Sequence, residues 1–387
     1  MKKLLFVFAT LSILLSACGS FPAISTPTPS GTPLASATSP SPTATPLPEP
    51  SLTPLPPAII YGPSNFPSNV NPLTGLPVAD PALLDRRPLL VKVSNLPRNV
   101  RPQWGLSLAD IVFEYYTEEG ATRFAALFYG NNADMVGPIR SGRFMDVHLI
   151  RGYKAVFAFG SAYEKVIDRL YSSEFADRLV LEGGPDTPLK RYDPNGVNDL
   201  VVNTADLSAY ITAQGVENGR QNLDGMSFDP AAPAAGQPGT QLFVRYSGVI
   251  YNRWDYDAVS GKYLRSADNA DDYDNNNEQY VQSTDLLTGK PIAFDNVVVL
   301  FVITDHYIVS PEVVDIQFVG TGTAYAFRDG QVTQVTWKRD PTSVVSLTNA
   351  DGTPFPFKPG TTFFEVMGAG SQVQQTGQSW RFIHAMP

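Results

Sequence analysis

The chain is poor in the residues that staple or metallate small folds, with one cysteine and three histidines among 387 residues. A single cysteine rules out an intramolecular disulfide, and so few thiols and imidazoles argue against a Cys/His zinc cluster. Positive charge is also in deficit. There are 37 acidic against 28 basic residues, a formal charge of −9, with a pI near 4.9. Nucleic-acid binding without sequence preference needs clustered positive charge, so no nucleic-acid partner is expected. Long apolar runs are missing too. The longest, Leu4 to Leu15, is too short to span a bilayer core of roughly 30 Å. Several catalytic signatures are absent: SxxK with KTG, HExxH, the Walker A loop and GxSxG. Gly160-Ser161 opens a predicted helix, which makes Ser161 a cap rather than a nucleophile. No cofactor is implied. What remains is ample apolar material, 43% of the chain against 17% charged, enough for folded cores in two domains or three small ones.

The amino terminus reads as an address. Lys2 and Lys3 precede the apolar run, and Leu15-Ser16-Ala17-Cys18 follows it. This is the pattern of a lipoprotein signal peptide with a lipobox, in which the cysteine is lipidated and residues 1–17 are removed. The only cysteine of the chain stands where that pattern needs one. Two or more acyl chains make a stable anchor at about 0.8 kcal/mol per buried CH₂. Cleavage would leave 26 bases against 37 acids, so the anchor rather than the protein surface would hold this body to anionic lipid. The expected location is the extracytoplasmic face of a bacterial membrane. Residues 19–62 hold 12 prolines and 14 serines or threonines with Glu49 as their one charge. Such a stretch cannot bury enough apolar surface to fold, and it reads as an extended tether.

Two segments then carry folding signals. Residues 63–229 mix strands with helices. Leu89–Val93, Asp110–Tyr116, Thr122–Tyr129 and Lys154–Phe159 are strand patterns, and Ser141–Tyr153, Ser161–Leu170 and Thr204–Gln214 have helical spacing with Ser or Thr caps. The expected class is α+β, or α/β. Residues 230–239, rich in Pro, Ala and Gly, read as a linker. Residues 240–387 are almost wholly strand-like, punctuated by Asp329-Gly330, Asp351-Gly352 and Pro359-Gly360. They suggest a mainly antiparallel β domain, a sandwich or open barrel. Asp268–Glu278 is acidic, but counted from Asp272 it puts Asn277 and Ser283 where an EF-hand needs Gly and Glu. A solvated loop is favoured, and no metal site is assigned.

The richest polar concentration lies in residues 95–146. Glu114, Tyr116 and Glu118 share one face of an extended strand. A two-residue turn at Glu119-Gly120 would set Tyr116 opposite Arg123 and place Arg123 diagonal to Glu114 and Glu118. Arg140 and Arg143, three apart, would emerge together from a helix. Arginine forks suit carboxylate or phosphate ligands. The candidate ligand-binding residues are Arg101, Glu114, Glu118, Arg123, Arg140, Ser141, Arg143 and Asn198. Glu114, Glu118 and Asp146 are the candidate catalytic groups. Glu114 and Glu118 lie about 13 Å apart on an extended strand. A glycosidase pair needs about 5–9.5 Å, so any hydrolase would need a partner such as Asp146. Three readings stand side by side: an ordering ion-pair network, a ligand site and a catalytic site.

Asn71-Pro-Leu-Thr-Gly-Leu-Pro-Val78, Arg101–Glu114, Thr122-Arg123-Phe124 and Gly137-Pro-Ile-Arg-Ser-Gly-Arg143 together resemble the YerB-like family of bacterial lipoproteins. In the second segment Tyr263-Leu-Arg265, Thr288-Gly289, Asn296–Val299 and Gly360–Phe364 extend the likeness. The resemblance implies a two-part, membrane-anchored protein outside the cytoplasm and leaves its biochemistry open. Two positions depart from the family pattern: Glu119 stands where Gly is usual before the Thr-Arg pair, and Val197 where His is usual beside Asn198. The expected role is an envelope binding or scaffold protein whose partner is the membrane, through Cys18, together with peptidoglycan or an anionic envelope polymer. The alternative is a glycan hydrolase with Glu114 or Glu118 as its acid.

Overall fold

In the computed structural model, residues 59–386 except 184, 185 and 194 are described. The signal with Cys18 and nearly all of the tether lie outside them. The folded part is mainly β, with helices α1 (Phe144–Tyr153), α2 (Glu164–Tyr171) and α3 (Thr204–Ala213) all in the first segment.

Its organising element is the strand Thr362–Gly368, whose seven residues are all buried. A strand covered on both faces reads as a continuous apolar run, which Thr-Phe-Phe-Glu-Val-Met-Gly nearly is. It pairs in parallel with Asn296–Val302 on one side and with Ile111–Tyr116 on the other. Through it, strands from both segments join one mixed eleven-stranded sheet. The first segment contributes Ile111–Tyr116, Thr122–Phe128, Leu89–Ser94, Val156–Phe159 and Leu179–Leu181 in that spatial order. The second contributes Asn296–Val302, Gly320–Arg328 and Gln331–Arg339 beyond the shared strand.

The remaining strands of the second segment build a smaller seven-stranded sheet around Gln241–Arg245, Tyr251–Asp257, Lys262–Asp268 and Ser379–Ile383. The carboxy-terminal segment is therefore rich in antiparallel β pairing, but its strands are divided between two sheets, and the expected self-contained sandwich or barrel is not what forms. The layering follows from side-chain alternation along Ile111–Tyr116. Phe113 and Tyr115 point to α1, meeting Tyr153 at 5.9 Å and Asp146. Glu114 and Tyr116 point to the smaller sheet and its carboxy-terminal extension, meeting Arg265 and His384. Trp254 packs on Phe363 at 4.7 Å between the sheets.

Three local expectations are corrected. The hairpin does turn at Glu119-Gly120, both with φ near the left-handed region (51° and 79°), and Ala121 N–H donates to Glu118 O at 2.9 Å. Thr117 N–H, however, donates to the Ala121 carbonyl at 2.9 Å. This bulge slips the register by one, so Arg123 faces Tyr115 instead of Tyr116. Second, α1 begins at Phe144 with Arg143 as its N-cap. Residues 139–142 are held outside the helix instead, with the Ile139, Arg140 and Gly142 N–H groups donating to Leu200, Lys92 and Ser161 carbonyls. Third, Tyr163 caps α2 and Asn203 caps α3, so neither Ser161 nor Thr204 does.

The shared strand makes a direct prediction. Residues 59–229 expressed alone should show no cooperative thermal unfolding, because the edge of Ile111–Tyr116 and the Glu114 carboxylate lose their partners. Mixing them with residues 230–387 should restore a single transition in circular dichroism.

Candidate functional site

The sequence-derived candidates divide into three places. Glu114 and Asp146 are core residues, fully enclosed. Asp146 ties down the start of α1 by accepting the Arg143 N–H at 2.6 Å, and it meets Lys92 at 3.2 Å and the Tyr115 hydroxyl. Burial, opposed by Asp146 and aided by nearby Arg123 and Arg143, brings the Lys92 ammonium down to about 7.

Glu114 accepts from Arg265 at 2.7 Å, Asn95 at 2.9 Å and Thr122 at 2.7 Å. Beside it across the shared strand stands Glu365, also fully buried. One arginine thus sits between two carboxyl groups. The hydrogen bonds indicate which is neutral. The Tyr246 hydroxyl lies 3.0 Å from both the Glu114 carbonyl and Glu365 Oε2, and it has one proton to give. With Glu365 protonated, its own proton would serve the contact with Tyr246 and leave the Tyr246 hydroxyl for the Glu114 carbonyl, while Trp254 Nε1–H donates to Oε1 at 2.9 Å. Burial first, and the charge on Glu114 second, push Glu365 the same way, up to about 8.

The second place is at the surface. The bulged hairpin delivers Glu118 to the face that carries Arg123. Arg123 donates to Glu118 at 3.0 Å, and Arg143 donates to it at 2.6 Å through Nε and again through a second nitrogen. Both guanidinium groups also hold the Ser141 carbonyl, at 3.0 and 3.2 Å. Burial works against the Glu118 charge, but the Arg143 and Arg123 contacts outweigh it and hold the carboxyl below its usual range. Arg140 is half-buried and, among the described residues, has no carboxylate partner. Burial and the neighbouring Arg143 and Arg191 all disfavour its charge. Glu118, Ser141, Arg143, Ser161 and Tyr163 line an open cleft of about 400 Å³. Ser141 and Ser161 hydroxyls meet there at 2.8 Å. The structure therefore brings Glu118, Arg123, Ser141 and Arg143 together with Arg140 alongside, but from an extended segment and a helix cap rather than from one helix face.

The third place holds Arg101 and Asn198, which line a different cleft with Trp104 and Tyr192. The Arg101 fork is spent on Asp268 and Asn95. The acidic segment is correspondingly less solvated than expected: Asp268 is 1% exposed, Asp272 pairs with Arg245 at 3.0 Å, and Glu278 pairs with Arg245 and Arg381. Among the described residues, no group of three or more His, Cys, Asp or Glu is placed to hold a metal ion. Sequence reasoning missed Arg265 and Glu365 as partners of Glu114. A lone acid in an apolar strand, as in Phe364-Glu365-Val366, was the available signal.

Comparison with known proteins supplies the context. Residues 73–217 match the model for the "Protein of unknown function (DUF3048) N-terminal domain", and residues 242–364 match that for the DUF3048 C-terminal domain. A relative in Bacillus subtilis (strain 168), named "Putative lipoprotein YerB", is 28% identical over 306 residues, 76% of this chain and 85% of its own length. A crystal structure of the YerB protein from Bacillus subtilis superposes with a TM-score of 0.63 at 25% identity, covering 77% of this chain and 96% of that one.

The carboxyl assignment predicts a pH dependence. A group whose folded pKa is raised stabilises the fold below its unfolded pKa, and that contribution is lost as pH rises through the folded value. Wild-type melting temperature should therefore include a decline between about 4.5 and 8. Glu365→Gln, a neutral mimic, should remove that decline and melt no lower than wild type at pH 9. Glu114→Gln leaves Arg265 without its carboxylate and should cost roughly 3–5 kcal/mol in urea denaturation.

Proposed function

The chain belongs to the YerB-like family, and on that footing we propose that it is a lipid-anchored protein of the extracytoplasmic membrane face that binds an anionic polymer of the cell envelope. The thioether-forming residue is Cys18, and the Pro/Ser/Thr-rich stretch 19–62 carries the body away from the membrane. Among the described residues, no helix is long and apolar enough to cross a bilayer.

The observation that carries the binding role is Arg140. Two guanidinium groups, from Arg123 and Arg143, hold one carboxylate, and a third, Arg140, is near enough to both to disfavour their shared charge, has no acid of its own among the described residues, and directly precedes Ser141, which lines the cleft with Ser161. The cluster is short of negative charge in a protein that has an excess of it overall. An anion would supply it: a phosphate diester or a peptide-stem carboxylate offers the oxygens that planar guanidinium and serine hydroxyls bind. Glu118 acts as the brace that fixes two of the arginines.

A glycan hydrolase draws less support from the same geometry. Glu114 is enclosed and spends its oxygens on Arg265, Asn95 and Thr122. A general acid needs a raised pKa, whereas the arginines lower that of Glu118.

Purified mature protein should be retained on isolated cell wall at low salt and released as ionic strength rises, because the contacts are between exposed charges. Arg140→Ala and Arg143→Ala should each weaken retention by roughly tenfold, the loss of one charge-assisted contact of about 1.5 kcal/mol. Release of soluble glycan fragments, abolished in Glu118→Gln, would instead favour the hydrolase.

A further inference from the structure

The cleft that holds Asn198 differs in chemistry from the arginine site. It has a volume of about 430 Å³, inside the range of small-ligand sites. Its aromatic wall is Trp104, half-buried, tilted against Tyr192 with ring centroids 4.7 Å apart. Trp104 is held by its backbone. It exchanges hydrogen bonds with Gly137 at 2.9 and 3.2 Å, and Gly105, in the left-handed region at φ 80°, donates to Asp285 at 2.9 Å. The indole surface is thus fixed before any ligand arrives.

The polar wall holds two unsatisfied acceptors. Asn198 Oδ1 and Asp199 Oδ2 are buried atoms with no hydrogen-bond donor among the described residues. Asp199 is 2% exposed, and its other oxygen takes Arg191 at 2.6 Å. Buried acceptors without donors are costly, which marks a position that a ligand group can fill. Arg101 stands in the same wall but has given its N–H groups to Asp268 and Asn95. An anion therefore finds no guanidinium here that is not already paired with a carboxylate. An apolar ligand would leave both acceptors stranded. A cation would meet an Asp199 already neutralised by Arg191.

What fits is a molecule with an apolar face for the rings and hydroxyl groups to donate. We propose that the Trp104–Tyr192 cleft is a sugar-binding site, taking a pyranose ring of a glycan with its face on the indole and its hydroxyls on Asn198 Oδ1 and Asp199 Oδ2. It uses different residues from the arginine cluster, so either site can fail without the other.

The test is calorimetric titration of the full mature chain with a β-1,4-linked N-acetylglucosamine tetramer and with a glucose tetramer, together with tryptophan fluorescence. Trp254, Trp337 and Trp380 are buried, so a change in emission reports mainly on Trp104. Saturable binding by at least one sugar is expected, with emission altered. Trp104→Ala, Tyr192→Ala and Asn198→Ala should each weaken it by roughly tenfold or more. Lys338→Ala, which removes an exposed cation from a strand of the second segment, should leave it unchanged. Melting curves identify any variant that fails to fold, and Tyr192→Ala, at a half-exposed surface position, keeps the test open if Trp104→Ala does. Three results would overturn the proposal: no sugar bound at millimolar concentration, sugar bound equally by the folded Trp104 and Tyr192 variants, or tetramethylammonium bound in place of sugar.

Discussion

Glu114 and Arg265 lie 151 residues apart in sequence and meet at 2.7 Å in a core without solvent. A charge in such a place is tolerated only when it is paired and its remaining lone pairs are filled. Asn95, Thr122 and Asn252 fill those of Glu114. The requirement reaches outward in two directions. Arg265 ties the smaller sheet to the strand Ile111–Tyr116, and Asn95 passes from Glu114 to Arg101, which in turn holds Asp268. The second carboxyl, Glu365, is pushed toward its neutral form by burial and by the charge on Glu114. The two family segments thus share an electrostatic centre as well as a sheet, and the hairpin that ends in Glu118 leaves that centre at a defined angle.

From that hairpin the binding surface follows. The bulge at Thr117 turns Glu118 toward Arg123, and Glu118 fixes Arg143 at the start of α1. The extended segment before α1 then divides the surface. On one side Gly142 N–H bonds to Ser161 at 2.7 Å, next to the basic cleft. On the other Ile139 N–H bonds to Leu200 at 2.6 Å, at the base of the loop that carries Tyr192 and Asn198. One site is short of negative charge and the other holds two acceptors without donors. A polymer that alternates anionic groups with hydroxylated rings has both of the missing features.

Much of this was legible in the chain itself. Leu89–Ser94, Ile111–Tyr116 and Thr122–Phe128 announce themselves as strands because unbroken runs of β-branched and aromatic residues have few other solutions. That Glu114 and Arg123 would need partners was also visible, since charged residues inside such runs must find them. Pairing was not. The parallel contact of Thr362–Gly368 with Ile111–Tyr116 spans most of the folded chain, and periodicity carries no information about neighbours that distant. The register slip depends on which N–H takes one carbonyl, and that is decided by packing around Glu118. The helix start at Phe144 was hidden for a related reason, because the residues before it are held extended by bonds from Ile139, Arg140 and Gly142 N–H groups to carbonyls remote in sequence. Trp104 and Tyr192, from separate loops, offered no joint pattern.

The central claim is that the unmatched cations of this acidic protein form one specific anion site. Side-chain ¹⁵N spectra of the arginine Nε–H groups, recorded while glycerol phosphate is titrated into the mature protein, test it most directly. The account predicts a saturable shift for Arg140, which has no carboxylate partner among the described residues, and a smaller one for Arg143 as its Glu118 pair responds, with Arg265 and Arg101 unmoved because they are enclosed and Arg98 unmoved because Asp268 holds its Nε–H. It would be contradicted if no arginine resonance moved, or if every exposed arginine drifted together without saturation.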